Sequence, residues 1–136
     1  MGKIVIRDVE RPDSKNPNAM MRWFLAVFDL GDGNEANTIE AQILGQLVKV
    51  GYKGEGISSA DLKLKPPIPR STVIYHLNRL MELGIIVKRG RKYYLRATEM
   101  TKVFEEIEYD IQREMQRMID MAKEFDRLMN KRFGEE

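Results

Sequence analysis

The stretch from Pro69 to Arg96, PRSTVIYHLNRLMELGIIVKRGRKYYLR, constrains the fold more than any other part of the chain. On a 100° wheel, Val73, Leu77 and Leu80 fall together, with His76 and Met81 on the flanks. That spacing predicts an amphipathic helix with one core face. Ser71 is the expected N-cap, and Gly84 is the expected stop. Two short apolar and aromatic runs follow, Ile85 to Arg89 and Lys92 to Arg96, separated by Gly90-Arg91. Glycine at the first turn position predicts a tight hairpin with a type II′ turn.

The opposite face of the same helix carries Ser71, Tyr75, Asn78 and Glu82, with Thr72 and Arg79 beside them. Hydroxyls, an amide, an aromatic ring and a guanidinium are groups that read base edges and phosphates. Arg70 and the free amides of the helix start suit a phosphate. The hairpin tip holds Lys88, Arg89, Arg91 and Lys92, suited to a sugar-phosphate backbone or a minor groove. Tyr93 and Tyr94 are read as strand-packing residues, and His76, the only histidine, as a core-edge residue.

Charge supports the same division. The net charge is only +2, yet residues 63 to 96 hold nine basic residues against the single acid Glu82, a local +8. Residues 98 to 136 hold seven basic and eleven acidic residues, a local −4. The 136-residue chain contains no cysteine, which excludes disulfides, a thiolate nucleophile and cysteine metal ligands and fits a reducing cytoplasm. It has no apolar run long enough to span a membrane, and its first residues lack the pattern of a signal peptide.

Upstream, Lys3 to Ile6 reads as a short strand or ordered arm. Asn16-Pro17 reads as an N-cap and first helical residue of an apolar helix reaching about Leu30, stopped by Gly31-Asp-Gly-Asn. That helix is apolar nearly all round and is expected to be buried on several sides. A second helix starts at Glu35 or Thr38 and runs to Val50, followed by the glycine turn at 51 to 56. Ser58 or Ser59 caps a short helix through Leu62, and Pro66, Pro67 and Pro69 force an extended link. Downstream, Thr98 opens a final helix to about Arg132, about 50 Å long.

That last helix repeats Phe104, Ile111, Met118 and Phe125 every seven residues, with Ile107, Met121 and Leu128 three residues later and Met115, Ala122 and Met129 four later. Glu114 interrupts the stripe once. The stripe is wider than a two-stranded seam, so it is expected to contact both a partner helix in a coiled-coil dimer and the N-terminal apolar helix of Trp23 and Phe24; the alternative packs the helix back on its own domain. Two weaker signals fail their context. Asp29 to Glu40 has glycines where a calcium loop needs ligands, and the glycines at 51 to 56 follow a helix rather than a strand. No catalytic constellation, metal site or cofactor motif emerges, so the chain is not expected to be an enzyme.

Residues 57 to 98 resemble the winged helix-turn-helix of ArsR-like and MarR-like transcriptional regulators, archaeal members above all. The pattern Ser-Thr-Val-x-x-His-Leu-x-x-Leu-x-x-x-Gly-Ile-Ile at 71 to 86 carries the resemblance. It implies a mainly α fold with a small β-hairpin wing and a long C-terminal dimerisation helix. Residues 1–34 would form an N-terminal arm and apolar helix, 35–97 the DNA-binding domain, and 98–136 the dimerisation helix. By the resemblance, Ser58 to Leu62 is the positioning helix and Ser71 to Leu83 the recognition helix. Ser71, Thr72, Tyr75 and Asn78 match base-facing positions, and Lys88 to Lys92 match the wing. The ligands of metal-sensing members have no counterpart, and the proline link is longer than the usual turn. The implied function is a homodimeric regulator on pseudo-palindromic double-stranded DNA. A small-molecule effector is possible without support, and a winged protein-interaction module in a transcription or replication complex is the alternative.

Overall fold

A computed structural model describes residues 4–13, 15–30 and 38–134. Among these residues, four α-helices and three strands follow in the order α1 (Pro17–Val27), α2 (Ile39–Gly51), β1 (Ile57–Ser58), α3 (Arg70–Leu83), β2 (Ile86–Arg89), β3 (Lys92–Leu95) and α4 (Met100–Phe133). A single 3-10 turn, Ser59–Asp61, lies between β1 and α3. The chain is thus mainly helical with one small antiparallel sheet, and it divides into two compact units, residues 1–104 and 105–136.

The first unit is built around α2. Thr38 caps it through a hydroxyl that accepts from the Ala41 amide at 3.1 Å. Ile43, Leu44 and Leu47 of α2 are buried, as are Leu77 and Leu80 of α3, Ile85 and Ile86 at the start of the hairpin, Leu25 of α1, and Val103. Each fully buried Leu or Ile contributes about 1.5–3 kcal/mol of transfer free energy, so this one cluster dominates the stability of the unit.

α1 begins as the sequence predicts: Pro17 is the first helical residue, and the Asn16 side chain accepts from the Asn18 amide at 2.9 Å. It ends three residues earlier than the periodicity suggests. Asp29 adopts φ 63°, and its amide reaches the Ala26 carbonyl while the Leu30 amide reaches Leu25. This is a Schellman closure with aspartate in the left-handed position usually taken by glycine. Arg7 pairs with the Asp29 carboxylate at 3.0 Å, and its own amide donates to the Val27 carbonyl. The glycine-rich stop expected at 31 to 34, the alternative helix start at Glu35 and most of the degenerate calcium-loop pattern lie outside the described residues. The N-terminal arm is ordered but not a strand over the described residues 4 to 13; the Trp23 indole donates to the Val9 carbonyl. Nor is α1 buried all round: Leu25 and Ala26 are buried, whereas Met20 is exposed and Met21, Trp23 and Phe24 are half-buried.

The sheet order is β1-β3-β2, with β3 paired antiparallel to both neighbours. The two-residue strand β1 has no sequence signature, because two residues cannot display alternation. Gly90, at φ 62°, and Arg91, which keeps a negative φ, form the β2–β3 turn, as the II′ reading requires.

Gly84 closes α3 at φ 85°, its amide donating to Met81 and that of Ile85 to Leu80. Gly84→Ala keeps every one of these bonds but forces a Cβ into the left-handed region. We expect a loss of about 1 kcal/mol, read by thermal denaturation, with no change in helical content.

Two helix starts differ from expectation. α3 begins at Arg70 after Pro69, and Ser71 sits one residue inside rather than at the cap. Proline imposes the φ that the cap position accepts, and its carbonyl takes the Thr72 and Val73 amides at 3.0 and 3.1 Å. No side-chain cap is needed. α4 begins at Met100, two residues beyond Thr98, because the Tyr52 hydroxyl accepts from the Met100 amide at 3.1 Å.

Candidate nucleic-acid interface

The wheel reading of α3 agrees with its burial. Val73, Leu77, Leu80 and Leu83 are buried, whereas Ser71, Tyr75, Asn78 and Glu82 are exposed and Thr72 is half-buried. Tyr75 is 57% exposed, a large aromatic ring held out in solvent on a polar face. Its ring lies edge-on to His76 and beneath the Arg79 guanidinium, 5.8 Å from the ring centre. These neighbours fix the tyrosine while leaving its outer face free.

Arg79 itself is tied down. Its Nη1 donates to Glu40 Oε1 at 2.9 Å, and the same oxygen lies 2.6 Å from His76 Nδ1. Glu40 is only 5% exposed and lies in the first turn of α2. A buried carboxylate must be paired, and here both partners come from α3. The cluster fastens α3 to the start of α2 and orients the side of α3 that carries Tyr75. Sequence reasoning missed Glu40 because, in sequence, it is only one acid at a helix start, 36 residues from His76. His76 is the core-edge residue expected, now with a named partner.

The link before α3 is held just as specifically. Gln42 and Gln46, one turn apart on α2, use their amides like the edge of a strand. Gln46 Nε2 donates to the Lys63 carbonyl and its Oε1 accepts the Lys63 amide, at 2.8 and 3.0 Å. Gln42 makes the same pair of bonds to Lys65, at 3.1 and 2.9 Å. The extended, proline-containing segment has no ladder of its own, and two side-chain amides satisfy its backbone instead. Arg70 donates to the Ser59 hydroxyl at 3.4 Å, joining the start of α3 to the 3-10 turn. In sequence this clamp shows only as two glutamines four residues apart, with nothing to mark Lys63 and Lys65 as their partners.

At the hairpin tip, Lys88, Arg89, Arg91 and Lys92 are all exposed. Arg89 sits directly opposite Lys92 in the β2–β3 register. Like charges at facing positions destabilise a sheet. Two of the four cations are supported by a ring: Lys88 lies over Tyr93 at 5.4 Å and Arg89 over Tyr94 at 5.1 Å. Tyr93 is 2% exposed and packs in the core, as expected of a strand residue. None of the four tip cations has a carboxylate partner among the described residues. Arg7, Arg79, Arg113, Arg117 and Arg127 each have one.

Of the residues expected to dimerise, Trp23, Phe24 and Phe104 pack within the first unit. The Phe24 and Phe104 rings are 4.8 Å apart, Phe28 stacks on Phe104, and Trp23 meets Phe24 edge-on. Ile107 is buried and Ile111 half-buried, whereas Met118, Met121, Phe125 and Leu128 are exposed. An open hollow of about 940 Å³ between α1, α2 and the 63–65 link is lined by Met20, Met21, Phe24, Gly45, Lys63 and Lys65, among others. No group of acids and histidine able to hold a metal ion occurs among the described residues, and no helix among them is long and apolar enough to cross a membrane. Comparison with protein-family models, curated proteins and solved structures yields no match.

Proposed function

We propose that this chain is a sequence-specific, double-stranded-DNA-binding transcriptional regulator of the winged helix-turn-helix type, acting as a homodimer. α3 is the recognition helix, β2 and β3 form the wing, and the 3-10 turn with α2 positions α3. The observation that carries the reading is the hairpin tip. Four exposed cations crowd one turn, two of them directly opposed, and none has a carboxylate partner among the described residues. A phosphate backbone supplies the missing counter-charge and relieves the repulsion.

The outer side of α3 offers Ser71, Thr72, Tyr75 and Asn78 to base edges and phosphates. Asparagine is suited to bidentate pairing with adenine, and Tyr75 offers a ring edge and a hydroxyl. Arg79 has a smaller part than its residue type suggests, because Glu40 already holds one of its nitrogens. Arg79 positions Tyr75 and keeps its remaining donors for phosphate.

Selection of bound duplexes from a random pool tests the reading. An enriched motif with two inverted half-sites is expected. In the same assay, Asn78→Ala and Tyr75→Ala should change the preferred bases at one or two positions per half-site, at about 1–3 kcal/mol of discrimination each. Recovery of unenriched sequences by the wild-type chain would overturn sequence-specific recognition.

A further inference from the structure

The second unit, residues 105–136, carries an apolar stripe with nothing covering it among the described residues. Met118, Met121 and Phe125 are 64%, 70% and 61% exposed, and Met115 and Leu128 are nearly half exposed. A monomeric helix does not keep such a stripe in water without a partner. We propose that the stripe pairs with the same stripe of a second copy in antiparallel orientation, in the register that sets Ile111 against Leu128 and Met118 against Met121. This inference rests on the homodimer reading above and specifies its geometry.

The charges select both orientation and register. Ile111, Met118 and Phe125 occupy one seam position of the seven-residue repeat, and Glu114, Met121 and Leu128 the other. Asp110, Arg117, Glu124 and Lys131 flank the seam on one side, and Met115, Ala122 and Met129 on the other. In an antiparallel pair each flank meets its own kind. The proposed register then places Asp110 beside the second copy's Lys131, and Arg117 beside its Glu124. Both pairs are attractive, and the dyad makes each occur twice. The opposite flank brings Met115 against Ala122 and adds to the apolar contact.

Neighbouring registers lack this match. Sliding by one heptad in one direction opposes Asp110 with Glu124 and Arg117 with itself. Sliding in the other direction opposes Arg117 with Lys131 and Glu124 with itself. Every pair between charged flanking residues is then repulsive. A parallel, in-register pair is disfavoured for another reason: it would stack Glu114 on Glu114 within the apolar seam. In the proposed register Glu114 meets Phe125, and its own neighbour Arg117 already neutralises it at 3.1 Å. Glu124 is bonded through both oxygens to Arg127, which holds its carboxyl below the ordinary range, and its exposed face is the one set beside the second copy's Arg117.

The absence of cysteine makes the test direct. Ile111→Cys and Leu128→Cys are prepared separately in the full-length chain and oxidised mildly, alone and mixed. In the proposed register the two 111 positions lie about 26 Å apart along the axis, far beyond disulfide reach. Neither variant should couple to itself, and the mixture should yield the 111–128 disulfide. Lys131→Asp should weaken dimerisation in sedimentation at least several-fold, and adding Asp110→Lys should restore it. Self-coupling of Ile111→Cys in a dimeric protein would overturn the orientation while leaving the dimer intact. A dimer in which no combination couples would overturn the register. A wild-type chain that sediments as a monomer would remove this inference and the homodimer together, while DNA binding is scored separately by the duplex selection.

Discussion

Glu40→Ala is expected to cost about 2 kcal/mol of stability and to weaken DNA binding beyond that loss. The carboxylate is 5% exposed and bonds both His76 and Arg79 of α3. Removing it leaves a half-buried histidine and a guanidinium with no acceptor, at about 1–3 kcal/mol for each group stranded away from water. Arg79 is about one-third exposed, so water recovers part of its share, which is why the expected total is near the lower end. The functional effect is separable. Freed of Glu40, Arg79 no longer holds the Tyr75 ring, and α3 loses its tie to the start of α2. Urea unfolding gives the stability loss, and duplex binding measured well below the midpoint gives the affinity loss. Glu40→Gln, which keeps one acceptor oxygen, should recover part of both. Unchanged binding by a folded Glu40→Ala chain would show that the cluster is structural only.

The second large effect is at the hairpin tip. Replacing Arg89 and Arg91 together by alanine should lower affinity for all duplex sequences alike, while leaving stability unchanged or slightly improved. Both side chains are exposed and lack a carboxylate partner among the described residues, and Arg89 faces Lys92, so their removal relieves repulsion in the free protein. On DNA, each neutralised phosphate releases condensed counterions, and the slope of log K against log salt falls by about 0.9 for every phosphate left without its cation. The double variant removes four cations from the dimer, two from each wing, and should therefore show a slope shallower by about 4 and an affinity at least tenfold lower at modest salt. Equilibrium binding across a salt series reads both numbers. A change confined to one target sequence would instead assign these arginines to base readout.

These two sites show what a sequence exposes and what it hides. The α3 wheel, the Gly84 stop and the Gly90 turn are legible because each rests on local spacing or on a backbone angle that one residue type favours. The core residues Val73, Leu77 and Leu80 follow from the same periodicity. The tip cations are visible as a charge count. Their opposition across the strands becomes visible only once the register is fixed. Glu40 and the Gln42–Gln46 clamp are not legible, since their meaning lies in partners 17 to 39 residues away. Helix boundaries shift where a group other than the expected capping residue does the capping, whether distant or adjacent in sequence. The Tyr52 hydroxyl caps α4 in place of Thr98, the Pro69 carbonyl serves α3 in place of Ser71, and Asp29 closes α1 ahead of the expected glycines.

The expected dimerisation set separates along the same line. Trp23, Phe24 and Phe104 are apolar residues at helical spacing, and spacing does not distinguish a ring packed within the chain from one offered to a partner. Their rings meet within the first unit, where all three are half-buried. Met115, Met118, Met121, Phe125 and Leu128 are exposed, so the heptad stripe leaves its largest accessible apolar surface there.

Whether the face formed by α3 and the hairpin binds duplex DNA is decided by titrating the full-length chain against a random-sequence duplex between about 50 and 200 mM salt. This range is wide enough for even non-specific phosphate contacts to declare themselves. Binding should weaken linearly on logarithmic axes with a slope of about −7 for a dimer that lays the four tip cations of each wing on phosphate, and of about −4 if only one wing engages. A chain that shows no binding at the low-salt end, or binding that salt does not weaken, would contradict the DNA-binding role.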